Sequence, residues 1–139
     1  MNKEVFFAKR ARLKPTVFTS SDAIAAKLIF DPSTEGSRVG GIIISSTSAT
    51  QRTVLLQVNA GGVVCRLGHI TVPAGAGTNG SVPVVSGLNT GNLPWLERDA
   101  NGNPFSDFSF AMNLEAKMLT PLVAGEQIDI VVKGANYDE

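Results

Sequence analysis

The sequence predicts an all-β fold: one antiparallel β-sandwich domain, jelly-roll-like, with an extended N-terminal arm. Three observations predict it. Short apolar runs rich in β-branched residues recur at intervals of about 8 to 12 residues. Between them stand 14 glycines, 7 prolines and clusters of Ser, Thr and Asn. Helical periodicity is scarce. About eight strands at that spacing fit a sandwich, jelly roll or small barrel. No strict repeat occurs, which argues against a solenoid or propeller.

The first run, Val5 to Leu13, reads as a basic arm or an edge strand; Pro15 interrupts it, because proline cannot donate to a sheet ladder, and residues 16–19 continue it. Residues 1–19 are therefore set apart from a sandwich domain at 20–139. Asp22 to Phe30 is open to one helical turn followed by a strand; a strand ending at Phe30 is favoured because Asp31-Pro32 and Glu35-Gly36 are turn signals. Val39 to Ser46 is continuous and β-branched, which suits a strand covered on both faces.

Arg52 to Asn59 puts Val54, Leu56 and Val58 on one face. Ala60-Gly-Gly62 is a hairpin signal, and Val63 to Val72 is its partner strand, with Gly68 as a bulge or twist point. Pro73 to Gly80 is too glycine-rich to pack a core and is expected as an exposed loop. Val82 to Val85 is a short strand, a helical turn is allowed before Pro94-Trp95, and Asp99 to Pro104 is a turn cluster. Phe108, Phe110, Met112 and Leu114 alternate with small or polar residues as one half-buried strand. Ile128, Ile130 and Val132 close the chain in the same way after the Ala124-Gly125 turn.

A chain of 139 residues can bury about two-thirds of its unfolded surface in one core without metal or disulfide staples. Twelve basic and twelve acidic residues cancel, so there is no overall field to gather nucleic acid. The charge is nonetheless uneven. Lys3, Lys9, Arg10, Arg12 and Lys14 face only Glu4 at the start, while Glu126, Asp129, Asp138 and Glu139 face Lys133 at the end. Cys65 is alone, which excludes an internal disulfide and fits a reducing compartment. With no stretch long enough for a signal peptide or a membrane span, a protein made in a cytoplasm and not anchored is expected.

Chemistry is thin. The one histidine, His69, and Cys65 are about 13 Å apart on one side of an ideal strand, too far for a nucleophile–base pair unless the Gly68 bulge folds it, so a buried thiol and a partly exposed strand histidine are expected. One His and one Cys cannot build a zinc site, and no CxxC, HExxH or EF-hand spacing occurs. Asp99, Asn101 and Asn103 alternate like a calcium loop but lack the distal glutamate, so a plain turn is the better reading. The glycines at 75, 77 and 80 lead into Ser81-Val-Pro83 rather than a helix, which rules out a dinucleotide fingerprint. No enzyme, cofactor or metal is expected. The candidate interaction residues are Phe6, Phe7, Lys9, Arg10, Arg12 and Lys14 of the arm, with Trp95 as a core or interface anchor. The bland alternative for the arm is a solvated edge strand guarded by its charges.

Three stretches resemble small virion proteins of tailed bacteriophages. They are Gly40-Gly-Ile-Ile-Ile-Ser-Ser-Thr-Ser-Ala49 with Thr53-Val-Leu-Leu-Gln-Val58; Ile70-Thr-Val-Pro-Ala-Gly-Ala-Gly-Thr-Asn-Gly80 with Val82-Pro-Val-Val85; and Leu93-Pro-Trp-Leu-Glu-Arg-Asp-Ala-Asn-Gly-Asn-Pro104 with Leu119 to Val123, Ala124 to Gly134 and Asn136-Tyr-Asp138. The resemblance implies a capsid decoration, or cement, protein: a β-sandwich on the outside of the head that binds the major capsid protein and assembles with itself, with a trimer favoured. It brings no catalytic residues to carry over; from the cancelled charge and the lack of an apolar span, neither a nucleic-acid nor a membrane partner is expected. The longer basic arm departs from the pattern. Two further readings are a tail, connector or head-fibre base protein, and a carbohydrate-binding module using Trp95 and Tyr137.

Overall fold

The computed structural model describes residues 10–138. Ten strands form: β1 (Arg10–Thr19), β2 (Lys27–Phe30), β3 (Ser37–Ser46), β4 (Arg52–Ala60), β5 (Val63–Val72), β6 (Val85–Ser86), β7 (Glu97–Arg98), β8 (Pro104–Phe108), β9 (Met112–Met118) and β10 (Gln127–Asn136). A 3-10 turn at Ser20–Asp22 follows β1. One sheet has the order β1-β10-β3-β8-β7, with β6 also paired to β3, and the other has the order β2-β9-β4-β5. Every pairing is antiparallel. The fold is an all-β sandwich, and the chain changes sheet from β1 to β2, β2 to β3, β3 to β4, β5 to β6, β8 to β9 and β9 to β10.

Period-two patterning decides what lies between the sheets. Phe18, Ile42, Ile44, Ile128, Ile130 and Val132 from the first sheet meet Val54, Leu56, Ile70, Leu114 and Met118 from the second, all essentially without solvent exposure. Each such side chain contributes about 1.5–3 kcal/mol by leaving water. Strand β3 is buried on one face only. Its outward residues Gly41, Ile43 and Ser45 remain half exposed, so the continuous apolar run does not report cover on both sides.

Three further expectations are corrected. Pro15 does not break the first strand: it sits opposite Val131 within the unbroken β1–β10 ladder, tolerated because β1 is an edge and a missing N–H on the open side costs no ladder bond. The alternating run from Phe108 to Leu114 is two strands in different sheets. A turn closed by Met112 N–H donating to the Ser109 carbonyl, with Ala111 at φ 67°, carries the chain across and leaves Phe110 62% exposed. The glycine-rich loop also packs: Ala76 is fully buried, its carbonyl accepts from Ser46 N–H, and the Thr78 hydroxyl donates to the Ser46 carbonyl.

Two side-chain clasps tie loops to the sandwich. Glu126 accepts from the Ser48 hydroxyl at 2.7 Å, from Val123 N–H at 2.8 Å and from the Arg52 guanidinium. These bonds, that of Ser48 foremost, pull its carboxyl from the ordinary 4.5 down to about 2. At the other clasp the Arg38 guanidinium lies 3.7 Å from the Phe105 ring centroid and donates twice to Asp107, which also accepts from the Tyr137 hydroxyl at 2.7 Å. Burial raises Asp107, but the bonds from Arg38 and Tyr137 outweigh it and hold the carboxyl below its usual range.

Candidate functional site: the β1 edge and the outer sheet faces

Strand β1 forms one edge of its sheet and, among the described residues, pairs only with β10. Its alternation is the reverse of a simple basic surface. Arg10, Arg12, Lys14, Thr16 and Phe18 share the face that leads inward to the core, whereas Ala11, Leu13, Pro15 and Val17 face outward. Arg12 is consumed within the domain. Its guanidinium pairs with Asp31 at 2.9 Å and lies 4.5 Å from the Phe30 ring centroid. Lys14 is half-buried opposite Val132, and Arg10 is exposed. Inward-pointing cations on an edge strand oppose edge-to-edge aggregation, because a strand added there would have to desolvate them. Phe6, Phe7 and Lys9 lie outside the described residues.

The outer surface beside this edge is apolar. In register, Pro15, Val131 and Ile43 form a row across β1, β10 and β3. Leu13 and Val17, 66% and 41% exposed, flank that row on β1. Sequence reading missed the patch because the basic residues interleaved with it dominate the pattern; the period-two phase of Phe18, the one fully buried residue of β1, was the signal that could have found it.

Trp95 is 40% exposed, and its indole N–H donates to the Leu67 carbonyl at 2.9 Å. It is thus tied to β5, while Tyr137 is tied to Asp107 of β8 in the other sheet. The polar end of each ring is engaged within the domain. The Asp99 carboxylate accepts from the N–H groups of Asn101 and Asn103, both at 2.9 Å, which is the bonding of a capped turn.

The register around Gly68 changes how β5 is read. Leu56 pairs with Gly68 and Gln57 with Arg66, which leaves Leu67 as an extra residue in a β-bulge. Cys65 therefore pairs with inward-facing Val58 and His69 with outward-facing Leu55, so the two fall on opposite faces rather than on one. The same bulge brings Arg66 and His69, three residues apart, onto a single outer face. There they line an open cleft of about 580 Å³ with Leu55, Gln57, Val64 and Lys117. Among the described residues no group of three His, Cys, Asp or Glu side chains could hold a metal ion.

No protein-family model matches this chain, and no curated protein matches it either.

Proposed function

We propose that this chain is a structural protein of a phage virion, a decoration or cement protein that binds the outside of the capsid through protein–protein contacts and assembles with itself, most naturally as a trimer. The observation that carries the reading is the apolar row Pro15–Val131–Ile43 with Leu13 and Val17 at its flank. A domain that worked alone in water would gain nothing by presenting it, and exposed apolar surface rimmed by charge is what a protein partner buries. The resemblance of residues 39–138 to small virion proteins supports the same class. The strand order is compatible with a jelly-roll arrangement, since β1 to β4 and β8 to β10 alternate between the sheets and β1-β10-β3 faces β2-β9-β4-β5. A contact area repeated over a closed shell lets a modest free energy per copy sum to a large one.

The test is saturable co-sedimentation with empty capsid shells of the phage that encodes the chain. The intact protein is expected to saturate, and Leu13→Glu with Val17→Glu to abolish binding with an unchanged circular dichroism spectrum. Trimming residues 1–9 weighs the arm separately; removing 1–14 would also take half of β1 and confuse attachment with folding. Full shell binding by the double variant would refute the apolar face as the contact.

A further inference from the structure

Half of the cations of the described residues are already answered: Arg12 by Asp31, Lys27 by Asp22, Arg38 by Asp107, Arg52 by Glu126, and Arg98 by the Thr90 hydroxyl and the Gly102 carbonyl. Among the described residues Arg10, Lys14, Lys133, Arg66 and Lys117 have no such partner, and of these Arg66 and Lys117 line one cleft together with His69, which has none either. Register fixes their arrangement. Leu55 on β4 pairs with His69 of β5 on one side and with Lys117 of β9 on the other, and Gln57, in the next outward row, pairs with Arg66. Direct cross-strand neighbours stand about 5 Å apart at Cβ and successive same-face rows about 7 Å apart. A group resting on Leu55 is therefore within side-chain reach of the ammonium, the imidazole and the guanidinium at once. This convergence exists only because of the extra residue at Leu67; without it Arg66 and His69 would point to opposite faces.

We propose that this cleft on the four-stranded sheet binds an extended acidic segment of a partner protein, one in which carboxylate side chains alternate with apolar ones. The proposal rests on the reading of the chain as a protein-binding virion domain and names the chemistry of the partner. A cement must hold on two sides, and this face belongs to the opposite sheet from the apolar row. The cleft's own composition selects the ligand. Its floor, Leu55, and its wall, Val64, are apolar, and its volume of about 580 Å³ far exceeds that of an inorganic anion and suits several side chains. Glu115, bonded to Gln57 at 2.7 Å, keeps one acidic charge beside the cations. That charge disfavours a dense polyanion such as a phosphate backbone and tolerates spaced carboxylates. Carboxylates two residues apart on an extended strand recur at the row spacing on one face, so one can meet Lys117 and the next Arg66 with their methylene stems over Leu55 and Val64, while the apolar side chain between them points away from the sheet.

The test is an amide-resolved NMR titration of the full chain at low ionic strength with a capped peptide of alternating glutamate and leucine. The alternating lysine–leucine peptide and inorganic phosphate serve as separate probes. Saturable shifts at Leu55, Gln57, Arg66 and His69 are expected with the acidic peptide only, roughly tenfold weaker in Arg66→Gln with Lys117→Gln. A spectrum otherwise like the native one certifies the variant's fold. No shift at millimolar acidic peptide, equal shifts with the lysine peptide, or phosphate displacing the acidic peptide from these amides would each overturn the proposal. Failure of the intact protein to bind shells while the peptide still binds would count against the virion reading and leave the cleft standing.

Discussion

Replacing Gly134 by alanine separates two glycines that the sequence presents as equivalents. Gly134 lies where the β10–β3 register slips: Lys133 pairs with Gly41 and Gly134 with Val39, so Gly40 is the extra residue of a bulge. A Cβ at Gly134 would stand 2.6 Å from the Arg38 carbonyl oxygen and 3.0 Å from Cζ of the buried Phe30 ring, whereas ordinary contact begins at 3.4 Å. The ring is packed in the core and the carbonyl belongs to the β3 backbone, so neither yields easily. Overpacking of this kind costs about 1–3 kcal/mol, and the backbone clash places Gly134→Ala near the top, at about 3 kcal/mol. For a chain of this size each kcal/mol lowers Tm by about 4 °C, giving a fall of about 12 °C. The control is Gly40→Ala, where a Cβ meets nothing within 4 Å. That change is expected to be neutral or to raise stability by about 0.4–1 kcal/mol by restricting the unfolded chain. Thermal melts followed by circular dichroism read both. A Tm for Gly134→Ala close to that of the unsubstituted protein, or an equal fall for Gly40→Ala, would refute the packing argument.

Three further outcomes follow from named contacts. Glu126 has its folded value below its unfolded one, so its contribution is fully present above pH 4.5 and is lost as pH falls toward about 2; the Tm gap between the native protein and Glu126→Gln should be wide at neutral pH and close on acidification, and a pH-independent gap would contradict the clasp. Leu93 is completely buried beside Gly68, so Leu93→Ala should cost about 2–5 kcal/mol in urea unfolding, even though the residue lies in a loop. Trp95→Phe removes the bond to Leu67 and should cost about 1 kcal/mol, with faster hydrogen exchange at the β5 bulge as the local readout.

Legible in the amino-acid order alone were the class of fold, the β4–β5 hairpin with its Gly61-Gly62 turn, the final strand, and the inward faces of β4 and β10. Alternation and turn chemistry are local, and a residue's neighbours in the chain suffice to express them. Three things needed the tertiary structure. Phe108 to Leu114 reads as one strand because nothing in it resembles a turn, and only the need to supply both sheets divides it at Ser109–Ala111. The basic residues of β1 read as an outward surface, yet the phase is set by Phe18 settling into the core, which turns Arg12 toward Asp31 and leaves Leu13 and Val17 outside. The cleft of Arg66, His69 and Lys117 depends on one unpaired residue in β5 and on β9 lying beside β4, two facts about partners across the sheet. Which face a residue occupies is periodic along the chain until a bulge shifts the count, and the pairing strand decides where that shift falls.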